Sequence, residues 1–137
     1  MNKAVFLDKD GTLIPDIPYN VDPNRITIQE GALEALKQLQ AHGYLLVVIS
    51  NQSGVAHGRF EQSGLHAVEQ KITSLLHTGG VILDGFYFCP HHPEGKIKSY
   101  AYECECRKPR PGMILNAAAD LNIDTGSSWM IGDILHD

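Results

Sequence analysis

The chain has 137 residues, of which 43% are hydrophobic, enough for one domain with a buried core. Its formal net charge of −5 argues against a general nucleic-acid binder, which would need a basic face. The sequence contains no apolar run of the roughly 18 residues that a membrane span needs. An odd number of cysteines, three, suits metal ligation in a reducing compartment. Since the N-terminus shows no signal-peptide pattern, we expect the protein to be cytoplasmic. We also expect it to be a monomer without nucleic-acid or membrane partners.

The first half of the sequence alternates between strand and helix patterns. A short apolar run predicts a buried strand over 4–8, and a Pro- and Asn-rich loop follows over 15–24. Leucines at helical spacing predict a helix over 30–43, with the glycine at its end acting as a terminator. A second strand over 44–50 is apolar at nearly every position, as in a parallel sheet.

The second half repeats this alternation around one long loop. Apolar residues over 65–76 predict a second helix, which two glycines end, and a third strand is predicted over 81–88. A helix over 111–121 begins at a proline and is followed by a fourth strand over 128–133. The alternation predicts a doubly wound α/β domain with a parallel sheet, and we assign residues 1–137 to that single domain.

Three predicted strands end in polar side chains. Asp8 ends the first strand and Asp133 ends the fourth. The second strand runs into Ser50 and Asn51. Functional sites of doubly wound sheets lie at the carboxyl ends of the strands, so we expect these side chains to converge. Either Ser50 or Asp133, taken singly, could instead cap a helix.

Two carboxylates lie close together at the end of the first strand. If the extended backbone continues, Asp8 and Asp10 point the same way and Lys9 points the other way. Such close carboxylates predict a divalent cation or a shared proton. A solvated turn with a capping aspartate is the alternative for this tripeptide.

The segment 89–109 is too long for an ordinary connection, and it contains all three cysteines. Cys89, Cys104 and Cys106 with one histidine, His91 or His92, make the ligand set of a structural zinc site. Zinc binding would supply the free energy that orders this zinc-stapled loop. The alternatives are free cysteines, or a redox pair of Cys104 and Cys106, whose spacing rarely suits a disulfide.

These motifs in combination resemble a known superfamily. "DKDGT", "SNQSG", the lysine of "RKP" and "GDILHD" are similar to the four ordered motifs of the haloacid dehalogenase-like phosphatases. Within that superfamily, "NQSGVAHGRF", "CPHHPEG" and "CRKPRPGM" resemble the D-glycero-D-manno-heptose 1,7-bisphosphate phosphatases. Histidinol-phosphate phosphatases are a sister group. The resemblance implies small loop caps instead of an inserted domain, with a small phosphorylated sugar as substrate.

The resemblance also implies catalytic roles. Asp8 would attack phosphorus and form an aspartyl-phosphate, and Asp10 would act as general acid and then general base. Ser50 and Lys108 would stabilise charge on the transferred phosphoryl group. Mg²⁺ would bind between Asp8, the backbone carbonyl of Asp10 and Asp133.

The resemblance further favours His91 over His92 as the fourth zinc ligand, and it implies removal of the 7-phosphate in the synthesis of nucleotide-heptose precursors of lipopolysaccharide. A histidinol-phosphate or other small sugar-phosphate phosphatase is one alternative. A catalytically inactive zinc module that binds phosphorylated ligands is another. By the same resemblance, the residues that contact substrate are Asp16, Tyr19, Asn51, Gln52, Ser53 and Arg107.

The sequence departs from the family pattern at several positions. Family members commonly have arginine where Lys9 and His57 stand, and lysine where Ile134 stands, so a substrate contact is expected to differ. We also expect a fold of this type to continue with a further helix and strand. The chain is therefore expected to be truncated after Asp137, leaving an exposed sheet edge.

Overall fold

A computed structural model describes residues 1–132 of the chain, so the predictions for Asp133, Ile134 and Asp137 lie outside the described residues. Three α-helices and four strands alternate along it. The helices are α1 (Ala32–Ala41), α2 (Gln62–Thr78) and α3 (Gly112–Leu121). The strands are β1 (Ala4–Leu7), β2 (Leu45–Asn51), β3 (Gly85–Cys89) and β4 (Trp129–Ile131).

The four strands form one parallel sheet in the order β3-β2-β1-β4. Strand β1 is therefore central, with Leu7 paired to Val48 of β2 and to Ile131 of β4. This register brings Asp8, directly after β1, close to Ser50 near the end of β2. The predicted α/β class with a parallel sheet is confirmed, and the polar ends of β1 and β2 share one edge.

Helices cover both faces of this sheet, as the alternation of β1 side chains requires. Val5 and Leu7 pack on one face with Leu36 of α1 and with the stripe of α2 that contains Val68, Ile72 and Leu76. Ala4 and Phe6 pack on the other face with Met113 and Ala117 of α3. Fully burying each large aliphatic side chain contributes about 1.5–3 kcal/mol to stability, so these two layers stabilise the sheet that carries the polar strand ends. Among residues 1–132, no helix is both long and apolar enough to cross a membrane.

The third strand differs from its prediction. It was expected over 81–88 but begins at Gly85, and the preceding segment is a connection that also contributes to the core. Val81 is fully buried, yet the side chain of Ile82 is 59% exposed. The Asp84 carboxylate accepts a hydrogen bond from the Leu46 amide at 2.9 Å, where strand pairing begins. An apolar run does not distinguish a strand from a buried connector, so the predicted start was four residues too early.

Strand β3 and helix α3 are also joined by a polar contact. The hydroxyl of Tyr87 donates to the Asp120 carboxylate at 2.7 Å. Burial and this negatively charged acceptor raise the pKa of Tyr87 to about 12 from its usual value of 10.0. The neutral phenol is thus the form that the folded state favours.

Candidate active site

A buried ion pair lies at the carboxyl end of the central strand. Asp8 is 8% exposed and Lys108 is 6% exposed. The Lys108 ammonium donates to Asp8 Oδ1 at 3.0 Å and to the carbonyl of Ile49 at 3.2 Å. Because a buried charge needs a partner, this lysine and this carboxylate fix each other's position. A cation held beside a carboxylate is suited to stabilising a reacting anionic group there.

The backbone of Lys108 is held by the side chain of Asn51. The Lys108 amide donates to Asn51 Oδ1 at 2.9 Å, and Asn51 Nδ2 donates to the Lys108 carbonyl at 3.3 Å. The next peptide bond, Lys108–Pro109, is cis. The end of β2 therefore positions a residue that comes 57 positions later in the chain.

The carboxylate of Asp10 is held between two donors. Lys9 Nζ lies 3.2 Å from Asp10 Oδ1, and Gln52 Nε2 donates to Asp10 Oδ2 from 3.2 Å. The same Gln52 amide lies 2.6 Å from Ser50 Oγ. These contacts join the end of β1 to the end of β2 through side chains.

The position of Lys9 corrects the prediction that its side chain faces away from the aspartates. The backbone turns after Asp8 instead of continuing as a strand, and the Lys9 carbonyl accepts the amides of Leu13 and Ile14 at 3.0 and 3.1 Å. Gly11, with φ of 80°, permits this turn. Strand alternation therefore stops at Asp8, and the Lys9 side chain is buried beside Asp10.

A cleft of about 230 Å³ opens beside Asp10. Gly54 lies in its wall, where an added Cβ would clash with the Phe60 ring and come within 2.9 Å of the Tyr19 ring. Only glycine therefore allows the two rings to approach this backbone. The lining includes residues predicted to contact substrate, together with others that were not: Lys9, Asp10, Asp16, Ile17, Pro18, Tyr19, Asn20, Asn51, Gln52, Ser53, Gly54 and Phe60.

The three cysteines and His91 form a cluster on one side of β3. One ligand atom from each of Cys89, His91, Cys104 and Cys106 lies within 4.8 Å of the others. Cys104 Sγ is 3.1 Å from both other sulfurs, and His91 Nδ1 is 3.6 and 3.5 Å from the sulfurs of Cys89 and Cys106. The sulfurs of Cys89 and Cys106 are in direct contact. A disulfide would explain why two of these side chains lie close together, whereas one metal ion would explain why all four do.

The orientation of His91 settles which histidine belongs to the cluster. Its Nε2 lies 2.7 Å from the hydroxyl of Tyr102, so the opposite nitrogen, Nδ1, faces the sulfurs. Burial lowers the pKa of His91, which favours the neutral form that binds metals. His92 Nδ1 accepts the Glu94 amide at 3.0 Å, and its ring lies 4.7 Å from the ring of His57. His92 is therefore not part of the cluster.

Comparison with known proteins agrees with this geometry. Residues 3–134 match a family model described as polynucleotide kinase 3 phosphatase. The chain is 47% identical over its whole length to the D-glycero-beta-D-manno-heptose-1,7-bisphosphate 7-phosphatase of Pasteurella multocida, and it spans 74% of that protein. The chain belongs to the heptose-bisphosphate phosphatase family of haloacid dehalogenase-like phosphatases.

Solved structures agree with this family assignment. The D,D-heptose 1,7-bisphosphate phosphatase of B. bronchiseptica, crystallised with magnesium and phosphate, is 32% identical and superposes with a TM-score of 0.82. The match covers 98% of this chain and 72% of that one. A HAD-like protein from Mesorhizobium loti is 36% identical with a TM-score of 0.94, and the match covers 99% of this chain and 65% of that one.

Hydrogen bonds and the cleft lining bring many of the predicted site residues together. Arg107 does not line the cleft described above, and neither do Asp8, Ser50 and Lys108. Arg107 lies near His92, whose pKa is lowered by burial and then by the Arg107 charge. The third predicted magnesium ligand, Asp133, lies outside the described residues.

Sequence reasoning missed Lys9 as part of the site. The glycine two residues later was the available signal, because a turn so close to Asp8 leaves no room for strand alternation. The role of Asn51 in holding Lys108 had no such signal, since that contact joins distant parts of the chain.

Proposed function

We propose that this chain is a Mg²⁺-dependent phosphatase that hydrolyses the 7-phosphate of D-glycero-D-manno-heptose 1,7-bisphosphate. The observation that carries the proposal is the buried contact of 3.0 Å between Lys108 Nζ and Asp8 Oδ1 at the end of the central strand. It places a cation and a carboxylate at one point beside a cleft, in a chain whose relatives are heptose-bisphosphate phosphatases.

The chemistry uses Asp8 and Asp10 in turn. An Asp8 oxygen attacks phosphorus, and the bond from phosphorus to the sugar oxygen breaks while that oxygen takes a proton from the Asp10 carboxyl group. Water then attacks the aspartyl-phosphate and transfers a proton to the Asp10 carboxylate, and Asp8 is released as a carboxylate. Lys108 and Ser50 stabilise the charge on the phosphoryl oxygens during both steps.

The oxygen donors at this strand end fit Mg²⁺, which is a hard ion. The Asp8 carboxylate and the Asp10 backbone carbonyl, with Asp133, would hold it. Bound there, Mg²⁺ would neutralise negative charge on the phosphate. The B. bronchiseptica phosphatase, which was crystallised with magnesium and phosphate, supports this choice of ion.

The cysteine cluster fits zinc and has a structural role in this proposal. Zinc bound at about 2.3 Å to sulfur and about 2.0 Å to nitrogen places two sulfurs roughly 3.8 Å apart and a sulfur and a nitrogen roughly 3.5 Å apart. The sulfur–nitrogen separations of 3.6 and 3.5 Å match this geometry. The three sulfurs are closer together than that, two pairs at 3.1 Å and Cys89 and Cys106 in direct contact, so they would spread apart to bind the ion. Four protein ligands leave no open position, which is typical of structural sites. Because thiolates must stay reduced to bind zinc, the cytoplasm is the expected location.

The proposed product would feed nucleotide-heptose synthesis and, through it, lipopolysaccharide. The cleft of about 230 Å³ suits a small substrate, and we expect the protein to act on it as a monomer. Histidinol phosphate and a nucleic-acid 3′-phosphate are the competing substrates, the latter because of the family model's description.

Phosphate release with Mg²⁺ tests the proposal. The substrates are both anomers of the heptose bisphosphate, histidinol phosphate, a 3′-phosphorylated oligonucleotide and p-nitrophenyl phosphate. We expect the highest kcat/KM with a heptose bisphosphate, and we expect Asp8→Asn to abolish turnover while Asp120→Asn, on the outer helix α3, retains it. Turnover by Asp8→Asn would disprove the aspartyl-phosphate mechanism, and a preference for another substrate would disprove the assignment to heptose.

A further inference from the structure

Lys9 is a buried cation in the cleft to which the proposed mechanism gives no role. Its side chain is 3% exposed, and its ammonium lies 3.2 Å from Asp10 Oδ1. A buried lysine is rare unless its charge is paired. Pairing with a carboxylate at the surface would have required less desolvation of both charges. The partner here is the carboxylate that moves protons in the proposed reaction.

The two oxygens of Asp10 are held by side chains that follow two neighbouring strands, β1 and β2. Lys9, from the turn after β1, faces Oδ1, while Gln52, after β2, donates to Oδ2 at 3.2 Å. Two donors on two oxygens fix the plane of a carboxylate, which a single contact cannot do. Since 34% of the Asp10 side chain remains exposed to the cleft, the group is oriented and still accessible.

The backbone of Lys9 is equally constrained. Its carbonyl accepts the amides of Leu13 and Ile14, which closes the turn that contains Asp10. Leu13 is 2% exposed and Ile14 is 5% exposed, so the turn is anchored in the core. Lys9 is therefore a rigid support from which its ammonium contacts Asp10.

We propose that Lys9 is a positioning residue that, with Gln52, aims the Asp10 carboxylate at the leaving-group oxygen and at the attacking water. This inference rests on the proposed phosphatase function. It adds a specific claim, namely that the cleft is built for alkyl phosphates, whose alkoxide leaving groups must be protonated. An aryl phosphate has a leaving group that departs without that proton.

The substitution Lys9→Met removes the charge and keeps most of the buried side-chain volume. Steady-state and rapid-mixing kinetics with heptose bisphosphate and p-nitrophenyl phosphate then separate the two steps. For the sugar substrate, we expect kcat/KM to fall about 10- to 100-fold, because misorienting a proton donor costs that much. For the aryl substrate, kcat/KM should change by less than about threefold, since its first step needs no proton.

A burst of p-nitrophenol is the second expected signature. In Lys9→Met, the first step with the aryl substrate stays fast, while hydrolysis of the aspartyl-phosphate still needs Asp10 to accept a proton from water. One equivalent of p-nitrophenol per enzyme should therefore appear before slow turnover. A merely structural role for Lys9 would lower both steps and both substrates alike.

Three variants serve as comparisons. Lys9→Arg keeps the charge and should retain kcat/KM for the sugar substrate to within about fivefold. Gln52→Leu removes the other donor, and because Gln52 also contacts Ser50, it should lower kcat/KM for both substrates but by about tenfold more for the sugar substrate. This variant keeps the inference testable if Lys9→Met folds poorly. Lys3→Met is the matched control, because Lys3 lies at the opposite end of β1, where its ammonium is 4.3 Å from the centroid of the Tyr44 ring.

Different results would disprove the role of Lys9 and the proposed phosphatase function. Equal losses with both substrates, no loss in Lys9→Met, or failure of Lys9→Arg to preserve activity would overturn the role of Lys9 alone. A wild-type protein that hydrolyses neither substrate with Mg²⁺, or an active Asp8→Asn, would overturn the phosphatase mechanism and the positioning role together.

Discussion

Replacing Cys106 by alanine tests whether the cysteine cluster controls catalytic groups that it does not touch. Cys106 lies two residues before Lys108, whose ammonium contacts Asp8 at 3.0 Å. The variant leaves three of the four ligands, which should weaken zinc binding and release the segment that ends at Lys108. We expect lower catalytic activity, although no cysteine lines the cleft.

The size of the loss follows from what still holds Lys108. Its ammonium keeps its contacts with Asp8 and the Ile49 carbonyl, and Asn51 binds its backbone by two hydrogen bonds, of 2.9 and 3.3 Å. Each backbone bond contributes about 1 kcal/mol net, whereas zinc in a structural site supplies about 10 kcal/mol or more. A displacement of about 1 Å in a catalytic group costs about 100-fold in rate, and complete loss of such a donor costs about 100- to 1000-fold. We therefore expect kcat to fall about 100-fold.

The assay measures kcat and KM with saturating Mg²⁺, together with zinc content. The variant Lys108→Met removes the cation, so its kcat shows the effect of losing the cation completely. If the effect of Cys106→Ala acts through Lys108, then the double variant should be no slower than Lys108→Met alone.

Two results would refute the reasoning. One is a Cys106→Ala protein that has lost its zinc yet keeps kcat within about threefold of wild type, since a positioned donor is worth far more than that. The other is a double variant that loses a further factor of about 100 relative to Lys108→Met, which would show that the damage reaches catalysis by another route.

Three further predictions concern single contacts. Tyr102→Phe removes the hydroxyl that lies 2.7 Å from His91 Nε2, so zinc affinity should fall about tenfold in chelator competition, with kcat unchanged at saturating zinc. Asn51→Ala should lower kcat about 10- to 30-fold without loss of zinc, because it removes the two hydrogen bonds to the Lys108 backbone. The pKa of Tyr87 is raised to about 12, so the stability that its neutral form contributes is complete below about pH 10 and is lost as the pH rises towards 12. Denaturant titrations of Tyr87→Phe should show a smaller loss of stability than wild type across that interval.

Strands β1 and β2 and the apolar face of helix α2 could be predicted because each contributes a continuous or periodic apolar pattern to the core. The composition of the cysteine cluster could also be predicted, since its ligand types have few other uses in such a loop. The start of β3 could not be predicted from the sequence. Val81 is apolar and buried in the core like the residues of a strand, and only its backbone pairing differs from theirs.

The details of the site depended on tertiary contacts that a linear pattern does not contain. Asn51 was expected to contact substrate and does line the cleft, but its amide also holds the Lys108 backbone. Lys9 was placed on the wrong side because the alternation rule was extended two residues past the end of β1 at Leu7. Both cases concern residues at or just beyond the end of a strand, where the backbone direction changes and the period of the pattern no longer applies.

The pairing of Asp8 with Lys108 has a consequence for how the molecule folds. The two residues are 100 positions apart in sequence, although β1 is the central strand of the sheet. During synthesis, the Asp8 carboxylate leaves the ribosome long before the Lys108 ammonium does. Contacts at such separation form late, because the closure of the intervening loop must come first. The proposed catalytic pair is thus completed only after residue 108 has been made, and we expect shorter nascent chains to be inactive towards phosphate esters.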